Sequence, residues 1–255
     1  MNPFYFGTAE RRLFGLYEPA FKGTGKRGAV LCNPWGSEYL FAHRTMRQLA
    51  IKLSTAGFHT LRFDFFGTGD SSGDMIDADL DGWETDVGLA IDEIKDIVGA
   101  TRVTLIGLRL GATIAARAAR RRSKEVDALV LWDPVISGEE YLQQLGVAFK
   151  DLQHALSADT GKHLEILGFP LTEKFISDLQ ALNMDGLISA GTQRILVMLT
   201  ERLPSHQLFE SALAGRGAVS TTVEFMTAAH PWIENSANAG IVPVGPIQRI
   251  INWLE

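Results

Sequence analysis

The sequence predicts an α/β fold, with a mainly parallel central sheet and helices on both faces. Three observations carry that prediction. Short apolar runs bounded by turn residues alternate with longer stretches of helical periodicity, the pattern of a parallel sheet wrapped in helices. One such run, ending at Ile106, leads through Gly107-Leu108-Arg109-Leu110-Gly111 into the alanine-rich stretch from Ala112 to Ala116. The chain has 255 residues and is 46% hydrophobic, which is enough for one large core without staples.

The elements follow in order. Phe4 to Phe6 and Leu13 to Glu18 flank a polar turn and read as an opening hairpin. Ala29 to Cys32 is a buried strand closed by Asn33-Pro34. In Arg44 to Ala56, Met46, Leu49, Ile51 and Leu53 suit a helix, and Gly57 stops it. His59 to Phe63 is the next strand, and the glycine-rich Asp64 to Gly73 is an irregular loop. A long amphipathic helix covers Leu80 to Val98, followed by a strand at Arg102 to Ile106, a helix at Ala112 to Arg122 and a strand at Ala128 to Trp132.

The alternation then breaks. From Ser137 to Thr192 the sequence shows helical segments, among them Glu139 to Leu145, Phe149 to Leu156 and Glu173 to Leu182, and no convincing strand. A single crossover needs only about a dozen residues. Residues 137–192 therefore read as an inserted helical cap on a core formed by 1–136 and 193–255. Strands resume at Arg194 to Leu199 and Thr221 to Met226, and a final helix runs from Val244 to Leu254.

Composition narrows the partners. A formal charge of −6, from 24 basic and 30 acidic residues, disfavours nucleic acid. The one dense basic run, Arg117 to Lys124, falls at a helix end, where cations suit the helix dipole. Cys32 is the only cysteine, so no internal disulfide forms and a reducing cytoplasm is expected. Met1 to Thr8 lacks the pattern of a signal peptide, and no apolar run is long enough for a membrane span. The histidines show no paired metal spacing and no phosphate loop is present. The expected partner is a small molecule, with no cofactor and no metal.

In open sheets of this kind, ligands bind at the carboxyl ends of the strands. The loops after Cys32, Phe63, Ile106 and Trp132 therefore share one rim. Glycines two residues either side of Arg109 allow a sharp turn that lifts the central side chain above the sheet, and the following helix aims backbone N–H groups there. With this turn go the loop Asp64-Phe65-Phe66-Gly67-Thr68-Gly69-Asp70-Ser71-Ser72-Gly73, Trp83 and Asp86 in the next helix, and Asn33-Pro34-Trp35-Gly36 after an earlier strand. Together these resemble the α/β-hydrolase superfamily over nearly the whole chain. More narrowly, Gly107 to Ala112 and Trp132-Asp133-Pro134-Val135 resemble the bacterial hydrolase-like proteins encoded with exosortase A systems.

The resemblance implies a nucleophile elbow, an acid and a histidine, in that order along the chain. The elbow position matches Arg109, whose guanidinium stays protonated and cannot attack a carbonyl. Glu201 is the nearest carboxylate after the strand ending at Leu199, and His230 in Ala228-Ala229-His230-Pro231-Trp232 fits the histidine. Asn33-Pro34-Trp35-Gly36 occupies the place of the oxyanion-hole loop, and from this stretch Trp35, Gly36 and the neighbouring Ser37 are expected to bind. With Arg109, Leu110 and Asp133 they form the expected substrate-binding set.

Two roles for Arg109 stand side by side. It anchors an anionic group, or it makes a structural ion pair, with Asp133, Glu38 or Asp64 as the acid. Cys32 and Ser37 are the other nucleophiles on the rim. The functional readings are an enzyme that acts on or transfers the acyl group of an ester, thioester or amide bearing an anionic group, a pseudoenzyme that binds a small acidic ligand or a partner, and a scaffold filled by its own side chains.

Overall fold

The computed structural model describes residues 1–21, 25–146, 164–183, 192, 194–214, 220–233 and 242–255. The strands are β1 (Asn2–Gly7), β2 (Arg12–Glu18), β3 (Gly28–Cys32), β4 (His59–Phe63), β5 (Val103–Leu108), β6 (Val126–Trp132), β7 (Leu164–Ile166), β8 (Phe169–Leu171), β9 (Arg194–Leu199) and β10 (Ser220–Phe225). Eight of them form one sheet in the order β1-β2-β4-β3-β5-β6-β9-β10. The opening hairpin β1–β2 joins it antiparallel, and β4, β3, β5, β6, β9 and β10 run parallel. The α/β class and the mainly parallel sheet are as the sequence predicts.

Alternation along the parallel strands splits the core into two layers. Val30, Cys32, Leu105, Leu129 and Val197 pack on one face beneath α2 (Leu80–Val98) and α3 (Leu110–Arg121). Ala29, Leu31, Ile106, Val130 and Leu196 pack on the other against α1 (Ser37–Thr55) and the last helix (Val244–Leu254). Each fully buried Leu or Ile contributes about 1.5–3 kcal/mol, so a polar residue at any of these positions would be costly. The basic run on α3 meets acids of α2: Arg117 and Arg121 pair with Glu84, and Arg122 with Asp92.

Helix α2 shows why this part of the chain was readable. Asp79 caps its N-terminus by accepting from the Gly82 N–H, and Gly99 ends it in the left-handed region. Inside it, Trp83 donates its indole N–H to Phe66 O at 3.0 Å and Asp86 accepts the Phe66 N–H at 2.9 Å. Both anchor the glycine-rich loop after β4. Arg11 neutralises the fully buried Asp86. Ser71 and Ser72 also act beyond their own turn, because their hydroxyls accept the Phe14 and Arg12 N–H groups of β2.

The segment between β6 and β9 corrects one expectation. Helices α4 (Gly138–Gln144) and α5 (Glu173–Gln180) stand where the spacing predicts them, but β7 and β8 form a two-stranded antiparallel hairpin between them. The helix expected at Phe149 to Leu156 lies outside the described residues. A further helix, α6 (Pro204–Ala214), follows β9, and the last helix is α7 (Val244–Leu254).

Candidate functional site

The turn between β5 and α3 is forced by close packing. A Cβ on Gly107 would lie 2.3 Å from Ala112 Cα, and one on Gly111 would lie 2.2 Å from Asn33 O. Between them Arg109 sits at φ 54° and ψ −126°. A positive φ is unfavourable for a residue with a side chain and persists only where the surroundings fix it. Here the Arg109 N–H donates to Trp132 O at 2.9 Å, while its carbonyl receives the Ala112 N–H at 2.9 Å.

The guanidinium is buried, with 2% of the residue exposed. Each of its nitrogens already donates. Nε bonds Glu38 Oε1 at 2.9 Å, Nη1 bonds Glu201 Oε1 at 2.9 Å, and Nη2 bonds Gln144 Oε1. Tyr141 donates its hydroxyl to the other oxygen of Glu38 at 2.9 Å. The ring of Tyr141 lies 5.5 Å and that of Trp232 5.0 Å from the guanidinium carbon. Burial opposes the charge, but Glu38, Tyr141 and Glu201 outweigh it and hold Arg109 above its ordinary pKa. Burial raises the Glu38 carboxyl, and Arg109 and Tyr141 pull it back.

This arrangement corrects several expectations. Of the acids weighed for Arg109, Glu38 is the partner. Asp133 is fully buried and serves the loop after β9 instead, accepting the Thr200 N–H and hydroxyl at 2.7 Å each. Its pKa is raised by burial and drawn back by Thr200. Glu201, expected as the acid of a triad, turns to Arg109. His230 stacks on Trp232 with ring centres 4.9 Å apart, and its Nε2 faces Thr200 O at 3.4 Å. Trp232 thus touches both His230 and the guanidinium, and among the described residues no carboxylate bonds that histidine.

Over Arg109 opens a cavity of about 690 Å³. Glu38, Glu201, Ser37 and Trp232 line it beside the guanidinium, and Leu164 and Ile166 of the hairpin form an apolar wall. His230 is not among its walls. The other expected binding residues lie elsewhere. Leu110 is buried in the core, and Trp35 and Gly36 line a second cavity described below. Trp35 packs on Phe169 and Phe175. Cys32 is fully buried and burial pushes its thiol well up, so it offers no thiolate. Among the described residues no group of side chains could hold a metal ion, and no helix is long and apolar enough to cross a membrane.

Tyr141, Gln144 and Trp232 complete the site and did not stand out in the sequence. The available signal was the spacing of Tyr141 and Gln144, which puts both on one face of a helix directly after the β6 loop.

Comparison with known proteins agrees with this architecture. Among curated proteins, nothing matches the sequence. Solved structures align over almost the whole chain at low identity. Est1E from Butyrivibrio proteoclasticus, solved with ferulic acid, has a TM-score of 0.70 at 15% identity, covering 98% of this chain and 99% of its own. Mouse alpha/beta hydrolase domain-containing protein 10 has a TM-score of 0.64 at 17% identity, covering 100% and 97%. The Pyrococcus furiosus esterase Pf2001 has a TM-score of 0.64 at 16% identity, covering 99% and 89%. At such identities the likeness is one of fold. Residues 42–207 match the family model described as serine aminopeptidase, S33, and the chain belongs to that family of α/β hydrolases.

Proposed function

We propose that Arg109 stands at the nucleophile position of this family and that the cavity above it binds a small ligand without forming an acyl-enzyme. One observation carries the reading: all three guanidinium nitrogens are already engaged by Glu38, Glu201 and Gln144. A guanidinium so held can neither attack a carbonyl nor swing out to a substrate. An anionic ligand group, expected from Arg109 considered alone, is disfavoured because two carboxylates answer the one cation. The cavity suits a largely apolar ligand with a neutral or cationic head, and we assign residues 137–192 the role of its cover.

Acyl hydrolysis or transfer is the second reading, favoured by the family and by the position of His230 after β10. It requires water or an acceptor to attack directly with His230 as base, and so requires His230, which does not line that cavity, to reach it. Fluorophosphonate labelling with peptide mapping, run beside native mass spectrometry against a metabolite extract, separates the two. The expected result is no label between Gly107 and Gly111, a retained ligand, and aryl-ester turnover unchanged by His230→Ala. A label on that segment would overturn the first reading, and turnover abolished by His230→Ala would establish the second.

A further inference from the structure

A second cavity opens on the other side of the first turn of α1. It encloses about 280 Å³ and shares no lining residue with the cavity over Arg109. Its walls are aromatic, formed by Trp35, Phe65, Trp83 and Phe169 with Met75. Phe65 stacks on Trp83 with ring centres 4.9 Å apart, and Trp35 meets Phe169 edge-on at 6.2 Å. These contacts hold the walls in place before any ligand arrives.

The polar groups of this cavity are acceptors in need of donors. No lysine, arginine or histidine lines it. Asp64 is buried, and its carboxylate receives the Tyr39 hydroxyl at 2.9 Å and the Asp70 N–H at 3.1 Å, neither of which carries charge. Asn33 is 5% exposed and donates its amide to Phe63 O at 3.0 Å. That bond fixes the amide, because turning it over would set two oxygens against each other. The Asn33 Oδ1 is thereby left buried, with no hydrogen-bond partner. A buried acceptor without a donor is costly, and although the Arg62 charge acts on Asp64, no cation hydrogen-bonds that carboxylate among the described residues. Aromatic faces attract cations.

We propose that this cavity binds a small amine: a protonated primary or secondary ammonium on a compact apolar or aromatic body. The ammonium donates to Asp64 and to Asn33 Oδ1, and the body packs between Trp35, Trp83 and Phe169. Carboxylates of similar shape are repelled by Asp64. A neutral alcohol supplies a donor to Asn33 but leaves the charge of Asp64 unanswered. The site is separate from the one over Arg109 and does not depend on the function proposed there.

The test uses the full chain and three probes of matched shape: phenethylamine, phenethyl alcohol and phenylacetate. Affinities come from titration calorimetry, and location from magnetisation transfer between probe and tryptophan ring protons. The expected result is that the amine binds at least about ten-fold more tightly than either other probe, with transfer to Trp35 and Trp83. Phe169→Ala removes one wall at a half-buried position and should weaken the amine by about ten-fold. An amine that binds no better than the alcohol or the carboxylate overturns the proposal. So does an amine that contacts Trp232 instead, or one indifferent to Phe169→Ala.

Discussion

The two cavities both border α1 and the β7–β8 hairpin and settle their charge in opposite ways. Over Arg109, a buried cation is met by Glu38, Glu201 and Gln144, and the protein answers its own electrostatics. Around Asp64, a buried carboxylate keeps only neutral donors. The lesson is that a charged residue at the expected catalytic position says little about the ligand until its partners are counted. Internal partners turn a potential anchor into structure, and an acceptor left without them is the better guide to what could bind.

The largest effect should come from breaking the first cavity's balance. Arg109→Met leaves the buried Glu38 and the half-buried Glu201 without their cation and should destabilise the protein by about 3–5 kcal/mol, read from urea unfolding at neutral pH. Adding Glu38→Gln should recover part of that loss. A loss under about 1 kcal/mol would mean that the network behaves as a surface pair and that the contrast is false.

A smaller and pH-dependent effect tests the second cavity. Burial holds the folded Asp64 pKa above its ordinary value against the pull of the Asp70 N–H, the Tyr39 hydroxyl and the Arg62 charge, so its protonated form is favoured by folding. Its stabilising contribution is complete below the unfolded pKa and is lost as pH rises through the folded one. Asp64→Asn should therefore gain on the wild type as pH rises from the ordinary aspartate range toward neutrality. Urea titrations at acidic and neutral pH read the difference. A gain on acidification would show that Tyr39 and Arg62 outweigh burial at Asp64.

The smallest effect is expected at Ser37, which lines the first cavity at its edge. Ser37→Ala should alter stability by no more than about 0.5 kcal/mol. In an esterase assay it should leave any turnover as it was, because no histidine lines the cavity with it among the described residues. Loss of a measurable activity would make Ser37 a nucleophile and reopen the enzymatic reading.

Much of the fold could be read because its signals are local. Asp79 and Gly99 mark both ends of α2, and the glycines around Arg109 mark a turn that only small residues permit. The β7–β8 hairpin escaped for equally local reasons. Its strands span only Leu164–Ile166 and Phe169–Leu171, too short to show an alternation. Pro170 argues against a strand, and the Leu167-Gly168 turn puts a leucine at φ 50° where asparagine or aspartate is usual. The site was legible to the level of which loops meet. Which acid pairs with Arg109 depends on side-chain rotamers and on α4, so Glu38, Asp64 and Asp133 stood equal in the sequence. The structure chose Glu38 and added Glu201.

The Arg109 network also restricts the routes by which this chain could change over generations. A serine at position 109 would restore a hydroxyl at the elbow, yet by itself it would strand Glu38, which is 5% exposed and bound to Tyr141. The workable order begins elsewhere, with Glu38 and Glu201 replaced by neutral residues before the arginine leaves. Even then His230 would need to reach the cavity, whose walls it does not line. Each intermediate on that route carries a partly broken network. Serine chemistry at this turn is therefore several coordinated steps away.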